Sequence, residues 1–93
     1  MRITMVKKEL ADGSPCKKCR EVQERLDKAG QMQFIDKVVV AKESDPTSEG
    51  SLLADFYNAD KAPFFIVEEE GQETRIFTIY FKLVKEVFNA LPA

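Results

Sequence analysis

Residues 38–41 read Val-Val-Val-Ala, a continuous apolar run with three β-branched side chains near the middle of the chain. A strand of this composition is typical of a sheet that is covered on both faces, as parallel sheets are. Together with Phe34-Ile35, the run predicts a second strand, which a right-handed crossover joins to a parallel first strand. The pattern therefore favours a layered α/β fold.

The remaining patterns complete an order of strand, helix, strand, helix, strand, strand and helix. Alternation over residues 2–7 places Ile3, Met5 and Val6 inward in the first strand. The other predicted elements are strands at 64–67 and 75–79, and helices at 15–29, from Asp45-Pro46 to Asn58, and at 80–91. The predicted apolar face of the first helix is Cys19, Val22, Leu26 and Ala29, and that of the second helix is Leu52, Leu53, Phe56 and Tyr57. The third helix has Phe81, Val84, Val87, Phe88 and Leu91 on one face. A hairpin turn at Glu70-Gly71-Gln72 makes the last two strands antiparallel, so we expect a four-stranded mixed sheet flanked by three helices.

The composition bounds the class of protein. The chain has 93 residues and a formal net charge of −2, so we expect one domain, residues 1–93, without the basic surface that nucleic-acid binding requires. It contains no histidine, which excludes histidine acid–base catalysis and histidine-ligated metal sites. No apolar stretch resembles a signal peptide or approaches the ~18 residues of a membrane span, so we expect a soluble, cytoplasmic, monomeric protein.

Two cysteines, Cys16 and Cys19, stand three residues apart at the predicted start of the first helix. Ser14 and Pro15 suit the N-cap and first helical positions, and Gly30 suits the left-handed position after the helix. Backbone N–H groups and the helix dipole then favour a Cys16 thiolate, and such cysteines titrate between ~3.5 and ~7.5 instead of near ~8.5. Cys19 lies one turn further along and closer to the core. The spacing lets one thiolate attack a disulfide while the other resolves the mixed disulfide.

Three cations, Lys17, Lys18 and Arg20, crowd the predicted first turn and oppose the helix dipole at a cost of ~0.3–1 kcal/mol each. Lys17 adjoins Cys16, and two interpretations of it stay open. It either stabilises a thiolate and attracts acidic partners, or it is a surface lysine without a function. We interpret Lys18 and Arg20 as surface residues that face water.

The strand, loop, Cys-x-x-Cys and helix, together with Ala62-Pro63 before the third strand, resemble the thioredoxin-like superfamily. Because the chain starts directly with the strand before the cysteines, it is most similar to the glutaredoxin branch. The resemblance implies the sheet order 2-1-3-4, with Cys16 as the exposed nucleophile and Cys19 as the resolving thiol. It also implies a cis peptide before Pro63, and main-chain pairing of Ala62 with the substrate.

The sequence departs from both branches. It has no tryptophan, reads Pro-Cys-Lys-Lys-Cys at the cysteines, and lacks within 77–81 the glycine pair that helps glutaredoxins hold glutathione. The loop 9–14 is long for either branch, and residues 3–6 offer no clear counterpart of the buried acid of thioredoxins. We expect no bound cofactor or metal and no membrane or nucleic-acid partner. The expected partners are a disulfide-bearing protein or low-molecular-weight thiol as substrate, and a reductase or glutathione as electron donor.

The sequence therefore predicts a thiol–disulfide oxidoreductase of electron transport, with Cys16 and Cys19 catalytic and Lys17, Ala62 and Pro63 binding substrate. A purely structural disulfide is disfavoured because closing so short a loop removes little unfolded-state entropy. Two alternatives stay open. In one, the cysteines are half of a zinc or iron–sulfur site that a second chain completes. In the other, they sense oxidation in an adaptor without turning over.

Overall fold

The computed structural model describes residues 1–92, and within them it contains four strands and three α-helices. The elements are β1 (Arg2–Glu9), α1 (Lys17–Lys28), β2 (Lys37–Lys42), α2 (Glu49–Phe56), β3 (Phe64–Glu68), β4 (Arg75–Phe77) and α3 (Tyr80–Glu86). Short 3-10 helices follow α1 and α3, at Met32–Phe34 and Phe88–Ala90. None of the helices in this range is both long and apolar enough to cross a bilayer.

The strands form one mixed sheet in the order β2-β1-β3-β4. β1 runs parallel to β2 and antiparallel to β3, and β3 runs antiparallel to β4. The expected strand order, the parallel first pair and the antiparallel last pair are all confirmed.

Successive side chains of a strand point to opposite faces, so the sheet has two apolar layers. Ile3 and Met5 of β1 lie on the face that α1 and α3 cover, whereas Val6 lies on the face that α2 covers. The first layer is completed by Val22, Leu26, Phe65, Val67, Phe77, Leu83, Val87 and Phe88. The second layer is smaller and contains Val39, Phe64 and Ile66, with Leu53, Ala54 and Tyr57 packed against it.

The burial predicted for β2 is wrong in part. β2 is an edge strand, and only Val39 is buried, while Val38 is 42% exposed. Residues 34–35 are not part of the strand, because Phe34 ends a 3-10 helix and packs against Phe88 with ring centroids 5.3 Å apart. Because β2 pairs with β1 alone, fewer of its side chains are buried than its apolar sequence predicts.

The predicted start of α1 is also wrong. The helix begins at Lys17 with Cys16 as its N-cap, and the Cys16 sulfur accepts a hydrogen bond from the Cys19 N–H. Ser14 is not the cap because its N–H and hydroxyl both donate to the Asp12 carboxylate, at 3.0 and 2.6 Å. Pro15 lies before the helix and forms an isolated β-bridge with Glu9. Gly30 does adopt the predicted left-handed conformation, with φ 68°.

α2 begins three residues later than Asp45-Pro46 predicts. Asp45 accepts hydrogen bonds from the N–H and hydroxyl of Thr47, which closes a turn, and Ser48 is the residue before the helix. The Thr47 hydroxyl holds the pKa of the Asp45 carboxyl below its usual value. Local side-chain hydrogen bonds of this kind compete with helix capping.

The ends of several elements and parts of their apolar faces differ from prediction. α2 ends at Phe56, β4 at Phe77 and α3 at Glu86. Among the predicted helix-face residues, four are exposed in the structure: Ala29, Leu52, Phe56 and Phe81. Ala29 is the C-cap of α1, and Phe81 lines a cavity beside α1, so the apolar character of these four residues did not predict their burial.

Candidate functional site

A disulfide joins Cys16 and Cys19 at the N-terminus of α1, with Cα atoms 5.3 Å apart. Cys16 is partly exposed, and Cys19 is fully buried under the first turn of the helix. The sequence analysis likewise expected an exposed Cys16 and a Cys19 that lies closer to the core. An accessible outer sulfur and a sheltered inner sulfur within bonding distance can alternate between a disulfide and a dithiol.

Each sulfur accepts a hydrogen bond from a backbone N–H. The Cys19 N–H donates to Cys16 Sγ at 3.1 Å, and the Lys8 N–H donates to Cys19 Sγ at 3.4 Å. N–H groups directed at a sulfur stabilise the thiolate over the thiol once the disulfide is reduced. Both sulfurs therefore have a donor already in place for a negative charge.

The register of the sheet explains why the Lys8 N–H is not used in strand pairing. β3 starts at Phe64, which pairs with Val6, so β1 extends beyond its partner on that side. In that gap Lys8 binds α1 instead: its C=O accepts from the Cys16 N–H at 3.1 Å, and its N–H donates to Cys19. The start of α1 thus provides the hydrogen-bond partners that a longer β3 would otherwise provide for Lys8.

The loop before the cysteines is closed by its own hydrogen bonds. The Leu10 N–H donates to the Ser14 C=O at 2.8 Å, and the Gly13 N–H donates to the Leu10 C=O at 2.9 Å. Gly13 has φ 86°, a conformation that glycine adopts without strain. The Ser14 hydroxyl and N–H also hold the pKa of the Asp12 carboxyl below its usual value. The loop that the sequence showed to be long is therefore an ordered support for Cys16.

The Ala62–Pro63 peptide bond is cis, as the resemblance implied. Pro63 is buried and Ala62 is partly exposed. Within residues 1–92 neither the N–H nor the C=O of Ala62 takes part in a hydrogen bond. A main-chain donor and acceptor are therefore available next to β3.

Two open cavities border the segment 61–63. The first, which we call the α2 groove, has a volume of about 490 Å³ and lies beside Cys16 and Ala62 on the side of α2. Its ionic side chains are Lys8, Lys18, Lys42, Lys61, Glu43, Asp55 and Asp60. Lys8 and Glu43 form an ion pair at 3.3 Å, so charges in this groove largely compensate one another.

The second cavity, which we call the α3 groove, has a volume of about 320 Å³ and lies between α1, Pro63 and the start of α3. Its lining combines ionic and apolar side chains, including Lys18, Glu21, Arg25, Lys61, Ile79 and Phe81. Lys18 and Lys61 border both grooves. Cys16 itself lines only the α2 groove, and the shared lysines connect that groove to the α3 groove.

The structure brings together most of the predicted site residues. Cys16 and Ala62 border the α2 groove and Pro63 borders the α3 groove. Lys17 is exposed beside Cys16 and lines neither groove, whereas Lys18, which we interpreted as a surface lysine, lines both. Lys61 also lines both, and its proximity to α1 carries no signal in the sequence because 42 residues separate it from Cys19.

The part of the chain that the structure describes, 1–92, contains no group of three or more Cys, Asp or Glu residues arranged to hold a metal ion. A zinc ion or cluster at the cysteines would need ligands from another chain.

Comparison with known proteins identifies the fold. The chain is similar to the crystal structure of the germline-specific thioredoxin Deadhead of Drosophila melanogaster, with a TM-score of 0.56 and 12% identity, over 97% of this chain and 82% of that one. It is also similar to a designed protein, with a TM-score of 0.52 and 20% identity, over 99% of this chain and 80% of that one. No protein-family model and no curated protein sequence matches the chain. The chain therefore has a thioredoxin-like fold.

Proposed function

We propose that this protein is a thiol–disulfide oxidoreductase of glutaredoxin-like type. The observation that carries the proposal is the Cys16–Cys19 pair at the N-terminus of α1, with one sulfur accessible, the other buried, and a backbone N–H directed at each. The order β2-β1-β3-β4 with three helices supports the glutaredoxin-like assignment.

In the proposed reaction, the Cys16 thiolate attacks one sulfur of a substrate disulfide. The substrate S–S bond breaks, the departing substrate sulfur takes the electron pair, and a mixed disulfide with Cys16 forms. The Cys19 thiolate then attacks Cys16 Sγ and displaces the second substrate thiolate. The substrate gains two electrons and Cys16–Cys19 becomes a disulfide, which a reductase or glutathione reduces again.

The hydrogen bonds to the sulfurs support this order of steps. The Cys19 N–H lowers the cost of charge on Cys16 before attack, and the Lys8 N–H does the same for the buried Cys19 before resolution. Without such a donor, burial would favour the neutral Cys19 thiol, which is the unreactive form.

Substrate binding is proposed at the segment 62–63 and at Lys17. Ala62 offers a free N–H and C=O to a main chain lying across the cysteines, and the buried Pro63 fixes the position of that segment. Lys17 contributes positive charge beside Cys16. We further propose that the protein works as a single cytoplasmic domain, residues 1–93, and needs no bound cofactor.

The test uses the wild type, Cys16→Ser and Cys19→Ser with a disulfide-bonded protein such as insulin and dithiothreitol as reductant. We expect catalytic turnover by the wild type, loss of activity in Cys16→Ser, and a trapped mixed disulfide in Cys19→Ser. Reversible oxidation of the wild type without turnover would contradict the proposal and favour a redox sensor. Stoichiometric zinc or a coloured cluster in the purified protein would favour the metal-binding alternative.

A further inference from the structure

The α3 groove carries a charge of the opposite sign to that of the whole chain. Lys18, Arg25 and Lys61 face one carboxylate, Glu21, which leaves a net charge of +2, whereas the chain as a whole carries −2. The α2 groove holds four lysines against three carboxylates, with Lys8 and Glu43 already paired. Lys18 and Lys61 belong to both grooves, so the lining of the α3 groove has a net charge of +2 and that of the α2 groove +1.

The same groove exposes large apolar side chains. Ile79 is 51% exposed and Phe81 is 69% exposed, and both line the groove. The Arg25 guanidinium lies 5.6 Å from the centre of the Phe81 ring, close enough for a cation–π interaction. Arg25 and Phe81 thus form a wall that offers apolar surface and positive charge together.

The segment 61–63 adds a feature that suits a polypeptide. Ala62 lines the α2 groove next to Lys61, which borders both grooves, and keeps an unused N–H and C=O. An extended peptide pairs with such groups through its own main chain. A small disulfide without peptide groups would leave them unused.

From these observations we propose that the α3 groove selects polypeptide disulfides whose cysteine is flanked by acidic and apolar residues. Arg25 and Lys61 would determine the charge preference, and Phe81 the apolar preference. This inference rests on the proposed function, because the peptide is presented to the Cys16 thiolate.

The selectivity can be measured in a single step that needs no reductant. Reduced Cys19→Ser protein is mixed with a peptide whose one cysteine is joined to 2-nitro-5-thiobenzoate. The Cys16 thiolate attacks the peptide sulfur, that S–S bond breaks, and nitrothiobenzoate leaves with the electron pair as a coloured anion. The rate of colour release reports formation of the mixed disulfide.

Three peptides carry Glu-Leu, Gln-Leu or Lys-Leu on each side of the cysteine and are otherwise identical. The mixed disulfide of 2-mercaptoethanol with nitrothiobenzoate serves as the small probe without a peptide, and it carries the same benzoate carboxylate as the three peptide probes. We expect the Glu peptide to react about tenfold faster than the Lys peptide, with a ratio that shrinks as salt is added.

Variants in the Cys19→Ser background assign the preference to the groove. We expect Arg25→Glu and Lys61→Glu each to reduce the Glu-to-Lys rate ratio several-fold, when every peptide rate is divided by the rate of the small probe with the same variant. Lys28→Glu is the matched control, because Lys28 shares the last turn of α1 with Arg25 and lines neither groove. We expect it to leave the ratio unchanged.

A second pair of variants tests the apolar wall with a Glu-Ser peptide beside the Glu-Leu peptide. Phe81→Ser should remove most of the advantage of leucine over serine. Phe56→Ser is the control, because Phe56 is 76% exposed and lines neither groove.

The outcomes separate this inference from the proposed function. Equal rates for the three charged or neutral peptides, together with reaction of the small probe, would overturn the groove's role and leave the redox activity standing. A charge preference that Lys28→Glu changes as much as Arg25→Glu would also overturn it. No reaction with any disulfide would overturn the proposed function and this inference with it.

Discussion

The backbone N–H of Lys8 donates a hydrogen bond to the sulfur of Cys19 at 3.4 Å, which joins the end of β1 to the buried half of the disulfide. The donor is available because β3 starts opposite Val6 and leaves the following part of β1 without a strand partner on that side. The fold thus places a main-chain hydrogen-bond donor at Cys19. Residues 3–6 offer no clear counterpart of the buried acid of thioredoxins.

We predict that removing this N–H raises the pKa of the reduced Cys19 thiol by about one to two units. A hydrogen bond to a charged group contributes about 1.5–3 kcal/mol, and one pKa unit corresponds to about 1.4 kcal/mol. The change is an amide-to-ester replacement at Lys8, made by ligating a synthetic 1–18 thioester to a fragment that begins with Cys19. The measurement is the pH dependence of Cys19 alkylation, together with the rate at which Cys19 resolves a mixed disulfide.

The control is the same replacement at Ala11, whose N–H takes part in no hydrogen bond within residues 1–92. It should leave both quantities unchanged. If the two esters behave alike, the Lys8 N–H has no role in the chemistry of Cys19.

We predict that Lys17→Glu raises the pKa of the Cys16 thiol by about half to one unit, since it reverses a charge beside the sulfur at the positive end of α1. Thiolate absorbance as a function of pH measures it. Lys28→Glu, at the other end of the helix, should not change the titration. An unchanged titration in Lys17→Glu would remove that lysine from the mechanism.

We predict that Gly50→Ala destabilises the fold by about 1–3 kcal/mol, the usual cost of overpacking. Gly50 lies in α2, where alanine is ordinarily better than glycine by about 1 kcal/mol, but a Cβ there would overlap the backbone of Val40 and Ala41 in β2. Urea unfolding measures the difference. Leu52→Ala on the same helix, at a side chain that is 55% exposed, should change stability by less than about 0.5 kcal/mol. Equal stability of Gly50→Ala and the wild type would show that α2 can move away from β2.

We predict that Asp12 titrates below its ordinary pKa of 3.8, because the Ser14 hydroxyl and N–H donate to its carboxylate. A carboxyl whose pKa is lowered in the folded state stabilises that state above the ordinary value and loses the contribution as pH falls through the lowered one. NMR titration of Asp12, with the Ser14 amide shift followed in parallel, checks this. A midpoint at or above 3.8 would mean that the loop before Cys16 is not held by this carboxylate.

The apolar pattern of the sequence predicted the four strands, although it overestimated the burial of β2. Ile3, Met5 and Val6 are buried as predicted, and the strand order is the one that the resemblance to thioredoxin-like proteins implied. Helix starts were predicted less well, since Asp12 and Asp45 each bind a neighbouring hydroxyl and so displace the expected caps.

The cysteine pair could be predicted from spacing, but the residues around it could not. Lys61 and Lys18 line the same cavities because β3 returns beside β1, and no local sequence pattern encodes that arrangement. The position of the Lys8 N–H likewise depends on where β3 begins, which is a property of the register.

The most direct test of the account is a redox titration of the cysteine pair in the intact protein. Samples equilibrated in defined thiol–disulfide buffers are alkylated, and the mass shift counts free thiols. We predict that both thiols of the wild type appear together at one midpoint between about −270 and −120 mV, the range of known couples such as thioredoxin and DsbA. Cys16→Ser and Cys19→Ser should show no such intramolecular transition. Two free thiols in the wild type across the whole range would contradict the account.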